Sequence, residues 1–208
     1  MFLTDNDRAA ISKALAAVVT PVTLMFFERS IGCDACAPTR RLLEQIKELT
    51  DRVTIETLNL VIDKDRAEQH GIDRVPAIVV SAPGRNRIRF YGAPFGNELI
   101  SLVDAIRMTG TGETGLSEHS RAQLKTLATP VDVKVFFTPT CVYCPRMITL
   151  AYEMAVDSPL VSATAIDATE FPDLVRRYNV NGVPKTVIND SIEILGAAPE
   201  EELVTAIC

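Results

Sequence analysis

No uninterrupted apolar run in the 208 residues approaches the roughly 20 that cross a bilayer, so no membrane-spanning role is expected. The opening MFLTDNDRAA lacks positive charge. Asp5 and Asp7 stand where a secretory signal would carry its basic start and apolar core, so the expected location is cytoplasmic. Basic residues are not in excess either: 21 Lys and Arg face 27 Asp and Glu, a net charge of -6. They are also dispersed, which argues against a nucleic-acid partner. The two histidines, His70 and His119, show no metal-ligand spacing and read as surface residues. Five cysteines are too few and too unevenly spread for a secreted disulfide scaffold. What remains is 47% apolar and 23% charged, the profile of a globular protein with one large domain or two of about 100 residues.

Four of the cysteines form two pairs: Cys33 and Cys36 in GCDACAP, and Cys141 and Cys144 in PTCVYCPR. Such a pair can hold a metal, staple a loop or cycle between dithiol and disulfide. In a reducing cytosol it is more often catalytic or metal-binding than structural. Cys208 ends the chain without a partner and reads as a frayed helix end.

The chain contains itself twice. A shift of 108 carries Cys33 and Cys36 onto Cys141 and Cys144, and Val75-Pro76 of DRVPAIVV onto Val183-Pro184 of NGVPKTVI. Near the ends the offset falls to 104, matching Gly92 with Gly196 and Leu99 with Leu203; upstream it is 110, with MFFE over VFFT. Offsets that change only in plausible turns are what loop insertions look like, so the pattern is an internal duplication.

Each copy predicts helix, strand, helix, strand, helix, strand, strand, helix. In the first copy VTLMFFE is a buried strand, and CAPTRRLLEQIKELT is a helix with Leu42, Leu43, Ile46 and Leu49 on one face. RVTIETLNL alternates as a strand, AIVVS and RIRFY form a hairpin, and NELISLVDAIRM is an amphipathic helix. The second copy predicts helices over 118–128, 142–156, about 170–178 and 199–207, and strands over 131–138, 161–166, 185–189 and 192–195. The joint is TGTGETGLS at 109–117, a hinge-like linker or helix stop. Its G-x-G-x-x-G spacing follows a helix rather than a strand, which excludes a dinucleotide fingerprint. Strands alternating with helices, closed by a hairpin, give a mixed sheet with helices on both faces.

Both pairs fall where a buried strand turns into a helix. Free N–H groups and the positive end of the helix dipole favour a thiolate there. The first cysteine, Cys33 or Cys141, is expected to be accessible and to attack a substrate disulfide. The second, Cys36 or Cys144, is expected one turn in, sheltered, and able to resolve the mixed disulfide. Pro76 and Pro184 each open a strand, where a proline is either a cis turn beside the helix mouth or an ordinary trans strand opener.

These motifs resemble the thioredoxin superfamily, and more closely the tandem glutaredoxin-like proteins called protein disulfide oxidoreductases. FFTPTCVYCP, NVNGVPKTVI, YGAPFGNEL and GAAPEEEL carry the likeness, which covers nearly the whole chain. The same two-fold unit forms the N-terminal region of the flavoprotein subunit of alkyl hydroperoxide reductase. Those proteins continue into a flavin domain and keep cysteines in one half, whereas here both halves keep theirs and the sequence ends at Cys208.

The resemblance implies an α/β protein of two tandem thioredoxin-like folds, 1–112 and 113–208, each a central mixed sheet flanked by helices. It implies a thiol-disulfide oxidoreductase that reduces protein disulfides and can also oxidise or isomerise them. Cys33, Cys36, Cys141 and Cys144 would be catalytic, and Val75, Pro76, Val183 and Pro184 would form cis-proline, substrate-binding turns. No bound cofactor or metal is implied beyond the redox-active disulfides. The implied partners are protein disulfides, a thioredoxin-reductase-like flavoprotein as electron donor, and a peroxiredoxin.

Departures are visible. The sequence has no tryptophan, so neither motif is Trp-Cys-Gly-Pro-Cys, and Met25 and Val135 stand near the place of thioredoxin's buried aspartate. Val142 replaces the proline of the glutaredoxin motif, and LGAAPEEE lacks the glutathione-gripping signature. The pairs also differ from each other. Asp34 adjoins Cys33 and would repel its thiolate, whereas Val142 and Tyr143 are neutral and Arg146 follows, so Cys141 is expected to have the lower pKa. The rival readings are a zinc site, disfavoured by the long separation of the pairs, a redox-inactive binding or chaperone-like module, and an electron relay serving a peroxide-reducing system. Arg40 and Arg41 read as a solvated helix face, and the methionines as core filler.

Overall fold

The strands of each copy are short apolar runs whose alternate residues must be covered on two faces, and the helices supply one apolar stripe each to cover them. In the computed structural model, which describes residues 3–208, this gives the predicted order twice. The first copy holds α1 (Asp5–Leu15), β1 (Val22–Glu28), α2 (Cys36–Lys47), β2 (Val53–Asn59), α3 (Lys64–His70), β3 (Ala77–Ala82), β4 (Arg85–Tyr91) and α4 (Glu98–Thr111). The second holds α5 (Glu118–Leu124), β5 (Val131–Phe137), α6 (Cys144–Asp157), β6 (Val161–Asp167), α7 (Pro172–Arg177), β7 (Lys185–Ile188), β8 (Ile192–Leu195) and α8 (Glu200–Ile207). Met1 and Phe2, the start of the stretch read for a signal, lie outside the described residues.

The two copies share one sheet of eight strands, in the order β2-β1-β3-β4-β6-β5-β7-β8. The join is a parallel pairing of β4 with β6, in the register Ile88↔Ala163 to Tyr91↔Ile166. Six of the seven β6 residues are buried, as befits a strand covered on both faces. Small Ala163 and Ala165 lie beside large Ile88 and Phe90, and Phe90 meets Phe137 with ring centroids 5.2 Å apart. The buried Tyr152 of α6 donates to the Arg89 carbonyl at 2.8 Å, stitching the second copy to the first.

The apolar side chains fall into two layers. Buried residues of α1, α2, α4, α5, α6 and α8 form one cluster with the sheet, and those of α3 and α7 a second. Strand sense then fixes where the cysteine pairs go. β1 is antiparallel to β3, β3 to β4, and β4, β6 and β5 are mutually parallel. Hence β1 and β5 run the same way, and both pairs emerge at the same end of the sheet on the same helical layer.

Local chemistry sets the boundaries. Thr4 caps α1 in a reciprocal box: its hydroxyl accepts from the Asp7 N–H at 3.2 Å and its own N–H donates to the Asp7 carboxylate at 2.9 Å. The segment 109–117 is a stop and not a hinge. α4 runs through Gly110 to Thr111, and Gly112, at φ 75°, ends it with an N–H bond to the Met108 carbonyl. The following residues are pinned: Thr114 bonds Asp157, Gly115 bonds Glu153, and Ser117 bonds Glu200.

Two surface expectations are corrected. His70 is 7% exposed at the end of α3, where burial and the nearby Arg66 and Arg89 push its pKa down. Helix α3 covers the sheet's second face, and a residue that ends such a helix is drawn under it; His119 is exposed as expected. Arg40 is not merely solvated but ion-paired with Glu28, fastening α2 to the end of β1, whereas Arg41 is exposed. Met25, Met108, Met147 and Met154 are buried.

Candidate functional site

Each cysteine pair closes a short loop between a strand and a helix. The loop after β1 leads to Cys33 and the loop after β5 to Cys141. Helix α2 begins at Cys36 as predicted, and α6 begins two residues later than the predicted 142. Cys36 and Cys144 are the first residues of α2 and α6, so Cys33 and Cys141 lie just outside them. The second cysteine of each pair is therefore at the helix mouth rather than one turn in. Burial follows the expected division: Cys33 and Cys141 are half-buried, while Cys36 is 4% and Cys144 0% exposed. Both pairs are disulfide-bonded, with Cα atoms 5.4 Å and 5.5 Å apart.

Neither N-cap residue, Ala35 or Tyr143, makes a side-chain cap, and at the mouth of α2 the Cys36 N–H bonds the Cys33 carbonyl at 3.3 Å. Pro145 in the first turn of α6 gives up only an N–H that the helix does not use. The rims differ. Asp34 is exposed beside Cys33, and Val142 and Tyr143 are 72% and 67% exposed between Cys141 and Cys144. Cys208 is a free, exposed thiol at the chain's last position.

The prolines stand beside the pairs. Val75-Pro76 and Val183-Pro184 are both cis. Ala77, directly after Pro76, pairs with Phe27 at the end of β1, and Lys185, after Pro184, pairs with Phe136 at the end of β5. Each proline carbonyl accepts a glycine N–H, Gly92 at 2.9 Å and Gly196 at 2.8 Å, the same glycines that the internal repeat aligns. Pro76 and Pro184 are buried, while Val75 and Val183 are half-buried at the rim.

The second pair is flanked by residues the sequence reading missed, and they come from the other copy. Residues 92–98 of the first half run along the loop before Cys141. The Asn97 side-chain amide donates to the Cys141 carbonyl at 3.3 Å, and the Asn97 N–H to the Pro139 carbonyl at 3.3 Å. Glu98, fully buried, begins α4. Burial pushes its carboxyl up to about 7, with Asp167 adding to the rise and a hydrogen bond from Ser101 opposing it. Asp167 and Glu170 are raised by burial as well. One signal was available in sequence: Glu98, Leu102, Ala105 and Thr109 share the buried helix face, so Glu98 falls on the apolar stripe. An open groove of about 390 Å³, lined by Ile100, Asp104, Pro145, Arg146 and Leu150, starts at the residue after Cys144.

The Arg74 side chain, beside the first cis turn, bonds Asp173 of the second half at 2.7 Å and stacks on Phe171. Among the described residues there is no cluster of three or more His, Cys, Asp or Glu that could hold a metal ion, and no helix is long and apolar enough to cross a membrane.

Comparisons with known proteins agree with this geometry. The thioredoxin-domain family matches residues 131–208. Thioredoxin of Methanocaldococcus jannaschii is 35% identical over 78 residues, which cover 37% of this chain and 92% of that protein. The AhpF component of alkyl hydroperoxide reductase from Escherichia coli is 29% identical over 154 residues, or 74% of this chain; the chain spans only 28% of that protein's length. A protein disulfide oxidoreductase from Aeropyrum pernix superposes with a TM-score of 0.91 at 28% identity, covering 100% of this chain and 93% of that one. With two strand–CxxC–helix loops, two cis-proline turns and these relatives, the chain belongs to the thioredoxin family, with the cysteine-pair loop present twice in tandem.

Proposed function

We propose that this protein reduces protein disulfides through both pairs, and that the C-terminal pair is the faster reductant. The units are taken as 1–112 and 113–208, meeting at Gly112. One observation carries the reading: each half combines a half-buried Cys, a buried Cys at a helix start and a buried cis-proline turn at one end of the sheet. A redox-inactive module would have no use for that combination twice.

In the proposed cycle the Cys141 thiolate attacks one sulfur of a substrate disulfide. The S–S bond breaks, one substrate thiolate leaves, and a mixed disulfide forms. Cys144 then gives up its proton and attacks the Cys141 sulfur, expelling the second substrate thiolate and leaving the Cys141–Cys144 disulfide. Two electrons have passed to the substrate. A dithiol donor of the thioredoxin-reductase kind restores the pair by the same exchange. Cys33 and Cys36 act likewise. The half-buried Val75 and Val183 present backbone to an extended substrate segment, in the manner of strand addition.

The faster role of Cys141 is supported by the neutral, exposed Val142 and Tyr143, against Asp34 beside Cys33. A second reading has a specific basis. The match to the AhpF component of alkyl hydroperoxide reductase extends over 74% of the chain, so the pairs can instead relay electrons within a peroxide-reducing system, with a peroxiredoxin as acceptor. A cytoplasmic setting, where thiols are kept reduced, suits either reading.

The test is a redox titration resolved by alkylation and peptide mass analysis. Two reversible two-electron transitions, in the range of roughly -180 to -300 mV typical of exchangers, are expected. Alkylation against pH should give the lower pKa to Cys141. Thiols that never cycle would end the oxidoreductase reading, and a lower pKa at Cys33 would end the ranking. Turnover of a peroxiredoxin but not of insulin disulfides would favour the relay.

A further inference from the structure

We infer that Asn97, contributed by the N-terminal half, is a positioning residue for the C-terminal dithiol, so that the Cys141 site is assembled across the two halves. The inference rests on the redox reading of that pair but adds a residue and a direction of dependence.

The two loops differ in what their first carbonyl accepts. The Cys33 carbonyl takes the Cys36 N–H at 3.3 Å, closing the loop on itself. The Cys141 carbonyl takes the side-chain amide of Asn97 at 3.3 Å. The same residue's N–H reaches the Pro139 carbonyl, two residues upstream, at 3.3 Å. Asn97 therefore grips the loop at two carbonyls. Gly96 makes the approach possible. Its φ is 64°, and a Cβ there would lie 2.6 Å from the Pro139 oxygen, so only glycine lets the chains come this close. The repeat offers no such brace to Cys33: the residue aligned with Asn97 is Glu201, exposed in α8.

The chemical effect follows from where the amides go. A carbonyl held from outside leaves the Cys144 N–H, at the mouth of α6, free to face the Cys141 sulfur. N–H groups at that position stabilise thiolate over thiol. Without Asn97 the Cys141 carbonyl can turn inward, as the Cys33 carbonyl does, and occupy that N–H. The thiolate then loses a donor, its pKa rises, and the dithiol state of the second pair becomes less favoured over the disulfide.

The experiment compares wild type, Asn97→Ala and Asn97→Asp in the full chain, with Cys33 as the internal reference. The aspartate is isosteric but cannot donate when ionised. In both variants the ratio of Cys141 to Cys33 alkylation rates at pH 7 should fall roughly three- to tenfold, the worth of one hydrogen bond of about 0.5–1.5 kcal/mol. The second pair's potential should move negative while the first stays. A ratio within about twofold of wild type in both variants overturns the inference, as does an equal shift at both pairs, the mark of general loosening. If neither pair cycles even in wild type, the redox reading itself falls, which the titration distinguishes.

Discussion

Glu98 shows how far one side chain can depart from its ordinary chemistry when the fold buries it. Its folded pKa of about 7 exceeds the ordinary 4.5, so the folded protein holds that proton across this interval while the unfolded chain does not. The stability due to neutral Glu98 is therefore complete below about pH 4.5 and is lost as the pH rises to about 7. Glu98→Gln, which stays neutral, should match wild type near pH 4.5. By pH 8 it should be more stable by on the order of 2–3 kcal/mol. Urea midpoints at several pH values test this, and a difference that does not grow with pH would show that Glu98 is ionised in the folded state. Asn97 and Glu98 are adjacent in sequence, yet one holds the loop before Cys144 and the other lies buried between α4 and α6. A hydrogen bond to a residue more than forty positions away leaves no trace in local pattern, so Asn97 was not legible.

Helix α4 makes the same point for an element. Its sequence, ELISLVDAIRMTGT, reads as an amphipathic helix, and so it is. The late Gly110 reads as a helix breaker, but the structure keeps it inside the helix because a neighbour needs the room. A Cβ there would lie 2.5 Å from Val18 Cγ1 and 3.1 Å from the Thr20 carbonyl. Alanine is the better helix former by about 1 kcal/mol, and a valine cannot swing aside. The clash should win: Gly110→Ala is expected to destabilise by roughly 1–3 kcal/mol, measured by denaturant unfolding. A gain in stability would mean that the α1–β1 connection yields easily. Elements in general were legible, since apolar spacing located the sixteen helices and strands among the described residues to within a few residues, although α5 stops at Leu124 rather than at the predicted 128. Boundaries failed where backbone chemistry outweighs pattern, as at Cys144, which starts a helix two residues later than the pattern suggested.

At the scale of the whole molecule, duplication was plain in the sequence and the union of the copies was not. RIRFY and VSATAID each look like an ordinary strand, and nothing in either says that they pair in parallel. That pairing, with Arg74–Asp173, Tyr152–Arg89 and Glu170–Ala93, ties the halves together. The protein should therefore unfold as one cooperative unit. In the reduced state, buried Cys36 and Cys144 should become alkylated at coinciding urea midpoints, whereas two separate midpoints would show that the copies come apart before they melt.

The shared sheet has a further consequence for solubility. Eight strands in one sheet leave two open margins, β2 and β8; two separate four-stranded sheets would leave four. β8 is only four residues long, and β2 carries Glu56 in an ion pair with Arg66, both poor templates for another chain. The strands hidden by the join are the hazardous ones, above all β6, buried along nearly its whole length. Proteolytic nicking between the halves, followed by their separation, would expose it, and the fragments would be driven to self-associate through the surface that now makes them one protein.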